Sequence, residues 1–192
     1  MRLILLSIAF CAVITTATAQ NAATSTTFAK NNQDELLDRK NNIAANILAF
    51  KQATVFARSL NIGGLVQTFS NPGPLTVFLP VDSIFNKLEA GKVEALLSLD
   101  KKFNLIALIT YHALPGKVSA KNIAKEIGRS KGVAVFRTLS GAPLKAQFDG
   151  QGNIVLIDEL GGKSIIQKSD LKQQNGLIHL VSAVLLPKNK SI

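Results

Sequence analysis

Residues 75–88 read LTVFLPVDSIFNKL and join a run of apolar residues to polar residues at the point where the run ends. Residues 75–79 predict a short buried strand that ends at Pro80, since proline cannot donate a backbone hydrogen bond. Asp82 or Ser83 can then cap the helix that follows, because a side-chain oxygen satisfies backbone amides that have no partner in the first turn. The stretch therefore predicts a strand, a cap and a helix in succession.

Two later stretches have the same character, apolar enough for the core yet with polar residues at fixed places. Residues 105–117 read LIALITYHALPGK, which predicts a deeply buried helix ended by a Pro-Gly pair. Residues 175–187 read NGLIHLVSAVLLP, which predicts a buried strand opened by an Asn-Gly turn. Asn and Gly tolerate positive backbone dihedrals, so we expect them in this turn for that reason.

Along the rest of the chain, a helical spacing of apolar residues gives way to strand patterns after residue 128. We predict helices over residues 46–60, 65–69, 92–98 and 100–110. We predict strands over residues 133–139, 144–148, 154–160, 163–171 and 177–186, separated by turns rich in glycine and asparagine. A helical first half followed by a strand-rich second half predicts an α+β domain.

Taken in order, the three quoted stretches resemble the fasciclin-like domain family. They match its opening pattern T-V-F-x-P-x-D-x-x-F, its Tyr-His segment followed by Pro-Gly, and its closing strand N-G-x-I-H that ends in proline. The residues that carry this structural motif are Thr76, Val77, Phe78, Pro80, Asp82, Phe85, Pro115, Gly116, Asn175, Gly176, His179 and Pro187. The resemblance implies helices of the first half packed on a β-wedge or sandwich formed mainly by the second half. It also implies a non-enzymatic extracellular interaction module.

The resemblance points as well to residues that contact partners. Tyr111 and His112 occupy the positions from which the family's Tyr-His segment is proposed to contact cell-surface receptors. Asp170 and Leu171 match the place of an adhesive Asp-Ile pair in some animal members, although residues 168–169 depart from those members. The alternative is structural, since a lone tyrosine among apolar neighbours has a ring to bury and a hydroxyl that needs a partner. A charged residue before a turn can equally be a solvated one.

The chain has two histidines, His112 and His179, and both lie in apolar segments. We expect each ring to be buried or half-buried and to hydrogen bond a nearby polar group, as interior polar atoms require. For His112 the predicted partner is the region of Asp82, which would link the first and second stretches. Two imidazoles could also hold a metal together with carboxylates, but no ligand spacing is readable, so we predict no metal and no cofactor.

An enzymatic alternative comes from residues 128–132, GRSKG, which fit the G-x-S-x-G nucleophile pattern. Asp158 and His179 follow Ser130 in the order that an α/β-hydrolase uses. That pattern needs a buried strand before the serine and a helix after it, whereas here a helix-like segment precedes and a strand follows. We therefore predict no catalytic residue and keep a serine hydrolase as a less favoured alternative.

The first residues read as an export signal. Arg2 supplies a positive start, residues 3–13 are apolar, and small residues end at Ala19, after which we expect cleavage. The apolar run is shorter than the roughly 20 residues that a membrane-spanning helix needs, so we predict no transmembrane anchor in the mature chain. The protein would be secreted or periplasmic and could associate with the cell surface. The predicted organisation is a signal peptide over residues 1–19, a polar arm over 20–45, the domain over 46–188 and a basic tail over 189–192.

The sequence is basic, with 22 Lys and Arg against 12 Asp and Glu. These cations are scattered, and one Tyr with no Trp gives little to stack on bases, so we predict no nucleic-acid partner. The single cysteine, Cys11, lies inside the export signal, which leaves no thiol in the mature chain. We expect the partner to be a cell-surface or matrix protein, or an anionic polysaccharide that the positive charge recruits. A small ligand is a further alternative, and the oligomeric state is left open.

Overall fold

The computed structural model describes residues 37–85 and 102–188. The predicted signal peptide, most of the predicted arm, the helix predicted over 92–98 and the basic tail lie outside the described residues. Within the described ranges, every helix is too short or too polar to cross a bilayer.

Six helices and seven strands make up the described part of the chain. The helices are α1 (Ile43–Ala49), α2 (Thr54–Gly63), α3 (Val66–Ser70), α4 (Asp82–Phe85), α5 (Lys102–Tyr111) and α6 (Ala120–Arg129). The strands are β1 (Leu75–Pro80), β2 (Ala113–Pro115), β3 (Val133–Arg137), β4 (Pro143–Phe148), β5 (Ile154–Ile157), β6 (Lys163–Gln173) and β7 (Gly176–Val181). Helices dominate the first half and strands the second, so the predicted α+β class is confirmed.

The described strands pair in the order β2-β1-β7-β6-β5-β4-β3. Strands β1 and β7 run parallel, with Val77 beside Ile178, whereas the other neighbouring strands run antiparallel. Strand β1 is thus an inner strand that pairs on one side with β7, the last strand along the chain. The pairing of β6 with β7 shifts in register between Lys168 and Leu171, which takes Asp170 out of the regular ladder.

The core lies on both faces of β1, because successive side chains of a strand point to opposite sides. Val77 and Leu79 belong to a cluster that also contains buried residues of α1, α2 and α3. Phe78 belongs to a second cluster, together with Tyr111 and the buried residues of α6 and of β3 to β5. A strand buried on both faces reads as a continuous apolar run, which is why residues 75–79 were recognisable.

Two predicted elements differ from the structure for physical reasons. The helix predicted over 46–60 is two helices, because α2 begins on the carboxylate of Asp82, a residue far along the chain. The strand predicted over 177–186 ends at Val181, because the backbone beyond it hydrogen bonds to the side chains of His112 and Asp158. The hydrophobic core also begins ahead of residue 46, since Ile43 in the predicted arm is fully buried.

The Asn-Gly pair before β7 has another role from the one predicted. The turn is formed by Gln174 and Asn175, and neither residue nor Gly176 has a positive φ. Gly176 lies in β7, where an added Cβ would overlap the backbone carbonyl of Leu75 in β1. The glycine is therefore needed for close approach of two strands, and the predicted reason is wrong at this turn. At Gly141, by contrast, φ is 81°, as predicted for a turn between strands.

Candidate functional site

The Tyr-His pair lies where helix α5 ends and strand β2 begins. The side chains of Tyr111 and His112 have an exposed fraction of 0%. Helix α5 is apolar over most of its surface, so its last turn lies deep in the structure. Neither side chain reaches the surface of the folded chain, and contact of these two residues with a partner stays a prediction. The structural alternative accounts for both.

The hydroxyl of Tyr111 joins three separate parts of the chain. It donates a hydrogen bond to the carbonyl oxygen of Pro143 at 2.9 Å and accepts one from the backbone amide of Glu159 at 3.1 Å. Burial raises the pKa of this hydroxyl, so it stays protonated and remains a donor. Tyr111 therefore ties the end of α5 to the start of β4 and to the turn after β5.

His112 is a neutral ring with both nitrogens occupied. The backbone amide of Leu185 donates to Nε2 at 3.0 Å, so the ring proton is on Nδ1, which donates to the carbonyl oxygen of Leu108 at 2.9 Å. The ring also packs edge-on against Phe56 with centroids 5.6 Å apart. Burial lowers the pKa of His112 from 6.5 to about 4. The expectation of a buried, hydrogen-bonded ring is confirmed for this histidine.

The predicted pairing of His112 with the region of Asp82 is wrong. The carboxylate of Asp82 instead accepts hydrogen bonds from the backbone amides of Thr54 and Val55 at 2.9 and 3.0 Å, and from the Thr54 hydroxyl at 2.7 Å. These amides open helix α2, whose N-cap residue Ala53 makes no side-chain cap bond. Asp82 therefore caps a helix that lies earlier in the sequence and contributes a favourable negative charge at its N-terminus.

His179 in β7 holds the start of helix α6 against the sheet. Its Nδ1 accepts from the backbone amide of Asp170 at 3.2 Å, and its Nε2 bonds the carbonyl oxygen of Val118 at 2.9 Å. The ring stacks on Phe78 of the neighbouring strand with centroids 5.5 Å apart. Burial lowers the pKa of His179, in the same direction as for His112. This ring too is buried and hydrogen bonded, as predicted.

Asp170 has a structural task that the sequence did not reveal. It has a φ of 61°, and its carboxylate accepts a hydrogen bond from the backbone amide of Ala120, the first residue of α6, at 3.0 Å. Leu171 is half-buried and packs against the first hydrophobic cluster. Asp170 thus lies beside His179 and the start of α6. Its hydrogen bonds go neither to Tyr111 or His112 nor to the residues that these two bond. Their contact with a partner stays a prediction.

Other residues of the predicted motif serve the same internal purpose. Thr76 is buried in β1, where its hydroxyl donates to the carbonyl oxygen of Gly116 and accepts from the amide of Val118, both at 2.8 Å. The side chain of Asn175 accepts from the amide of Ile43 at 2.8 Å and donates to the carbonyl oxygens of Phe69 and Asn71, both at 2.9 Å. Of the remaining motif residues, one is exposed, Pro115, two are half-buried, Gly116 and Pro187, and the rest are buried, namely Val77, Phe78, Pro80, Phe85 and Gly176.

The polar groups of the interior are used by the fold itself. Across residues 37–85 and 102–188, every buried side-chain nitrogen or oxygen has a hydrogen-bond partner. In the same ranges, no three His, Cys, Asp or Glu side chains are grouped to hold a metal ion. Because these interior groups are already bonded, a partner of the described part of the chain would contact its surface.

The context of Ser130 is the reverse of a nucleophile elbow. Ser130 is exposed at the C-terminal end of α6, and the chain enters β3 after Lys131, which has a φ of 54°. Asp158 accepts from backbone amides in its own turn and from Leu186, while both nitrogens of His179 bond elsewhere. The structure does not bring the three residues into a triad, which removes the geometric support for the hydrolase alternative.

The exterior carries a groove of about 380 Å³ between helix α6 and strand β3. Its cations are Lys117, Lys125 and Arg129, and its apolar residues are Val118, Val135 and Phe136. We refer to these six residues, together with Asn122 and Glu126, as the α6–β3 groove. Sequence reasoning missed this groove, because the order of the strands places β3 at the edge of the sheet, and that order cannot be read from the sequence. The usable signal was two cations four residues apart on a helix whose buried side is marked by Ile123 and Ile127.

The sequence also matches known proteins. The family model of the fasciclin domain matches residues 51–187. The chain belongs to the fasciclin domain family. Its fasciclin domain is 32% identical over 124 residues to Protein sll1483 of Synechocystis sp., with 64% of this chain and 61% of that protein covered. It is 30% identical over 123 residues to human periostin, with 64% of this chain and 13% of periostin covered. The chain thus spans less than two thirds of either relative.

A solved structure gives the same fold. The FAS1 domain pair of the insect cell adhesion molecule Fasciclin I matches with a TM-score of 0.66 at 16% identity, covering 76% of this chain and 51% of that chain. The helices and the mainly β second half described above are therefore those of a fasciclin domain. That solved relative is a cell adhesion molecule.

Proposed function

We propose that this fasciclin domain is a non-enzymatic binding module that acts outside the cytoplasm in adhesion or in contact with a matrix. The observation that carries the proposal is the fasciclin match over residues 51–187, together with a solved relative that is a cell adhesion molecule. The predicted export signal over residues 1–19 supports a secreted or periplasmic location.

The way the described residues use their polar groups supports binding by a preformed surface. Tyr111, His112, His179, Asp82 and Asn175 all hold the fold together through hydrogen bonds. A surface that is already ordered loses little conformational entropy when a partner binds, so a larger share of the contact energy appears as affinity. The partner of this proposal is a cell-surface or matrix protein, with the half-buried Asp170 and Leu171 as candidate contacts.

The test is adhesion of the purified protein. The full chain would be produced with its own export signal, its location determined by cell fractionation, and the exported protein immobilised for binding to intact cells and to matrix-coated wells. We expect saturable binding that the same protein loses after heat unfolding. Retention in the cytoplasm, or binding no greater than that of the unfolded control, would contradict the proposal.

An anionic polysaccharide is the second candidate partner, and the basic composition favours it. Attraction between exposed charges weakens as salt rises, because the Debye length falls from about 10 Å at 0.1 M to about 3 Å at 1 M. We expect salt to release a bound polysaccharide partner. We also expect a sulfated polymer to displace that partner more effectively than a neutral polymer does. Adhesion that is insensitive to both would exclude this candidate.

The hydrolase alternative has a direct test. A panel of chromogenic esters would be incubated with the purified protein and with Ser130→Ala. We expect no turnover by either protein, because the His179 ring and the Asp158 carboxylate hydrogen bond to other parts of the fold. Turnover that Ser130→Ala abolishes would replace the binding proposal by an enzymatic one.

A further inference from the structure

We propose that the α6–β3 groove binds an extended acidic segment of a partner protein, which adds to the free edge of β3 as a further strand. This inference rests on the proposed function as a binding module and names the chemistry of the partner. Addition of a strand to an exposed sheet edge is a general mode of peptide recognition, in which backbone hydrogen bonds supply affinity and side chains supply specificity.

The strand order provides the edge. Among the described strands, β3 pairs with β4 on one side and is the outermost strand of the sheet, and the chain just beyond β3 meets β2, where the amide of Leu139 donates to the carbonyl oxygen of Ala113 at 2.8 Å. In an antiparallel pair, alternate residues direct their backbone amide and carbonyl groups away from the partner strand. Ahead of that contact, strand β3 therefore offers backbone donors and acceptors that an extended chain can use.

The exposure of the side chains of β3 indicates which face of an added strand can be apolar. Val133 and Val135 have exposed fractions of 42% and 58%, whereas Ala134 between them is fully buried beneath α6. Exposed valines on an outer strand are natural cross-strand neighbours for further β-branched residues. An added strand would therefore place apolar side chains beside Val133 and Val135 on the outer face.

The charges of the groove indicate which side chains the other face of the added strand should carry. Lys117, Lys125 and Arg129 line the groove, against the single carboxylate of Glu126. Glu126 lies 3.8 Å from Arg129, and the exposed fractions of the two side chains are 43% and 65%. Within the described residues, no carboxylate lies within ion-pair distance of Lys117 or Lys125. Acidic side chains on the face toward α6 would therefore meet positive charge.

These two faces define the probe, a fluorescein-labelled nonapeptide of alternating Val and Glu. Its binding to the full exported chain would be measured by fluorescence anisotropy, and protection of backbone amides of β3 by hydrogen exchange in NMR. We expect saturable binding with slowed exchange in residues 133–137. We also expect binding to be lost when lysine replaces glutamate in the peptide, and when alternate backbone amides are methylated on the edge that would pair with β3.

The variant Lys117→Glu/Lys125→Glu tests the groove, and Lys163→Glu/Lys172→Glu is its control. All four lysines are exposed and both variants change the net charge equally, but Lys163 and Lys172 lie in β6, outside the groove. We expect the groove variant to weaken peptide binding by about tenfold or more and the control to change it by no more than about twofold. Equal weakening by the two variants would overturn the proposal.

A polyanion that binds only by charge gives a different pattern. If the methylated peptide bound as tightly as its parent, or if a sulfated oligosaccharide displaced the peptide without any protection of β3, the groove would be an electrostatic site for polysaccharide and strand addition would be wrong. Adhesion and peptide binding, measured for both the wild type and the Lys117→Glu/Lys125→Glu chain, separate the two proposals. Peptide binding without adhesion of the wild type contradicts the function alone, whereas adhesion without peptide binding contradicts the groove alone.

Discussion

At the level of single residues, the two histidines make the stability of the fold depend on pH. The ring of His112 accepts a hydrogen bond from Leu185 through Nε2, so a proton on that nitrogen would face an amide hydrogen. Burial lowers its pKa from 6.5 to about 4. Between these two values the unfolded chain binds the proton and the folded chain does not, so falling pH favours unfolding. The lowered pKa of His179 acts in the same direction.

We predict that the free energy of unfolding falls by on the order of 3 kcal/mol from His112 alone as the pH drops from 6.5 to 4, since each pKa unit corresponds to about 1.4 kcal/mol. Urea unfolding at several pH values across this window measures the loss. His112→Gln keeps a donor and an acceptor but cannot titrate, so its stability should fall less. The same pH dependence in both proteins would show that other groups are responsible.

Asp170 has a left-handed backbone conformation and also caps α6, so substitutions that keep or remove these features can be compared. Alanine tolerates a φ of 61° poorly and has no oxygen for the amide of Ala120, so we expect Asp170→Ala to lose roughly 1–2 kcal/mol of stability. Asparagine adopts this backbone readily and keeps an oxygen, so Asp170→Asn should remain within about 0.5 kcal/mol of the wild type. Urea unfolding checks both values.

Partner contact by Asp170 can then be judged without a change in stability. If Asp170→Asn is as stable as the wild type yet adheres less, its charge meets the partner directly. If adhesion falls only in Asp170→Ala, the residue acts through the position of α6.

At the level of elements, helix α2 depends on a carboxylate that lies beyond both α3 and β1 in the chain. Asp82→Ala leaves the amides of Thr54 and Val55 without their acceptor, so we expect a loss of about 1 kcal/mol and faster hydrogen exchange at these two amides. Asp82→Asn keeps an oxygen but removes the charge at the helix N-terminus, so its loss should be smaller. Unchanged exchange at Thr54 in Asp82→Ala would mean that α2 does not need this cap.

At the level of the whole molecule, the sequence was informative where structure is set by neighbours in the chain. Strand β1 and helix α5 could be predicted because a buried element reads as a continuous apolar run. The roles of Tyr111, Asp82 and Gly176 could not, because each is set by a residue from a distant part of the chain. The polar atoms of the candidate site were recognisable as residues that need partners, but the identity of each partner required the three-dimensional fold.

The same limit explains the groove. The cations of α6 could be read from the sequence, and so could the valines of β3. That they flank an unpaired edge follows only from the order in which the strands assemble.

The parallel pair of β1 and β7 has a consequence for the chain as a whole. A chain that stops at residue 175 would lack the neighbour of β1 together with Ile178, Leu180 and Val181 of the two clusters. We expect such a chain to show neither cooperative urea unfolding nor the circular dichroism of the full chain. A cooperative transition in the shortened chain would show that the remaining strands suffice.

Contact between the first and last strands also governs timing. A nascent polypeptide cannot complete this sheet until the segment of β7 has left the ribosome, and pairing between such distant segments closes slowly. For a chain exported as proposed above, this delay suits a translocase that passes only unfolded substrates. Assembly of the native sheet would then wait for the far side of the membrane.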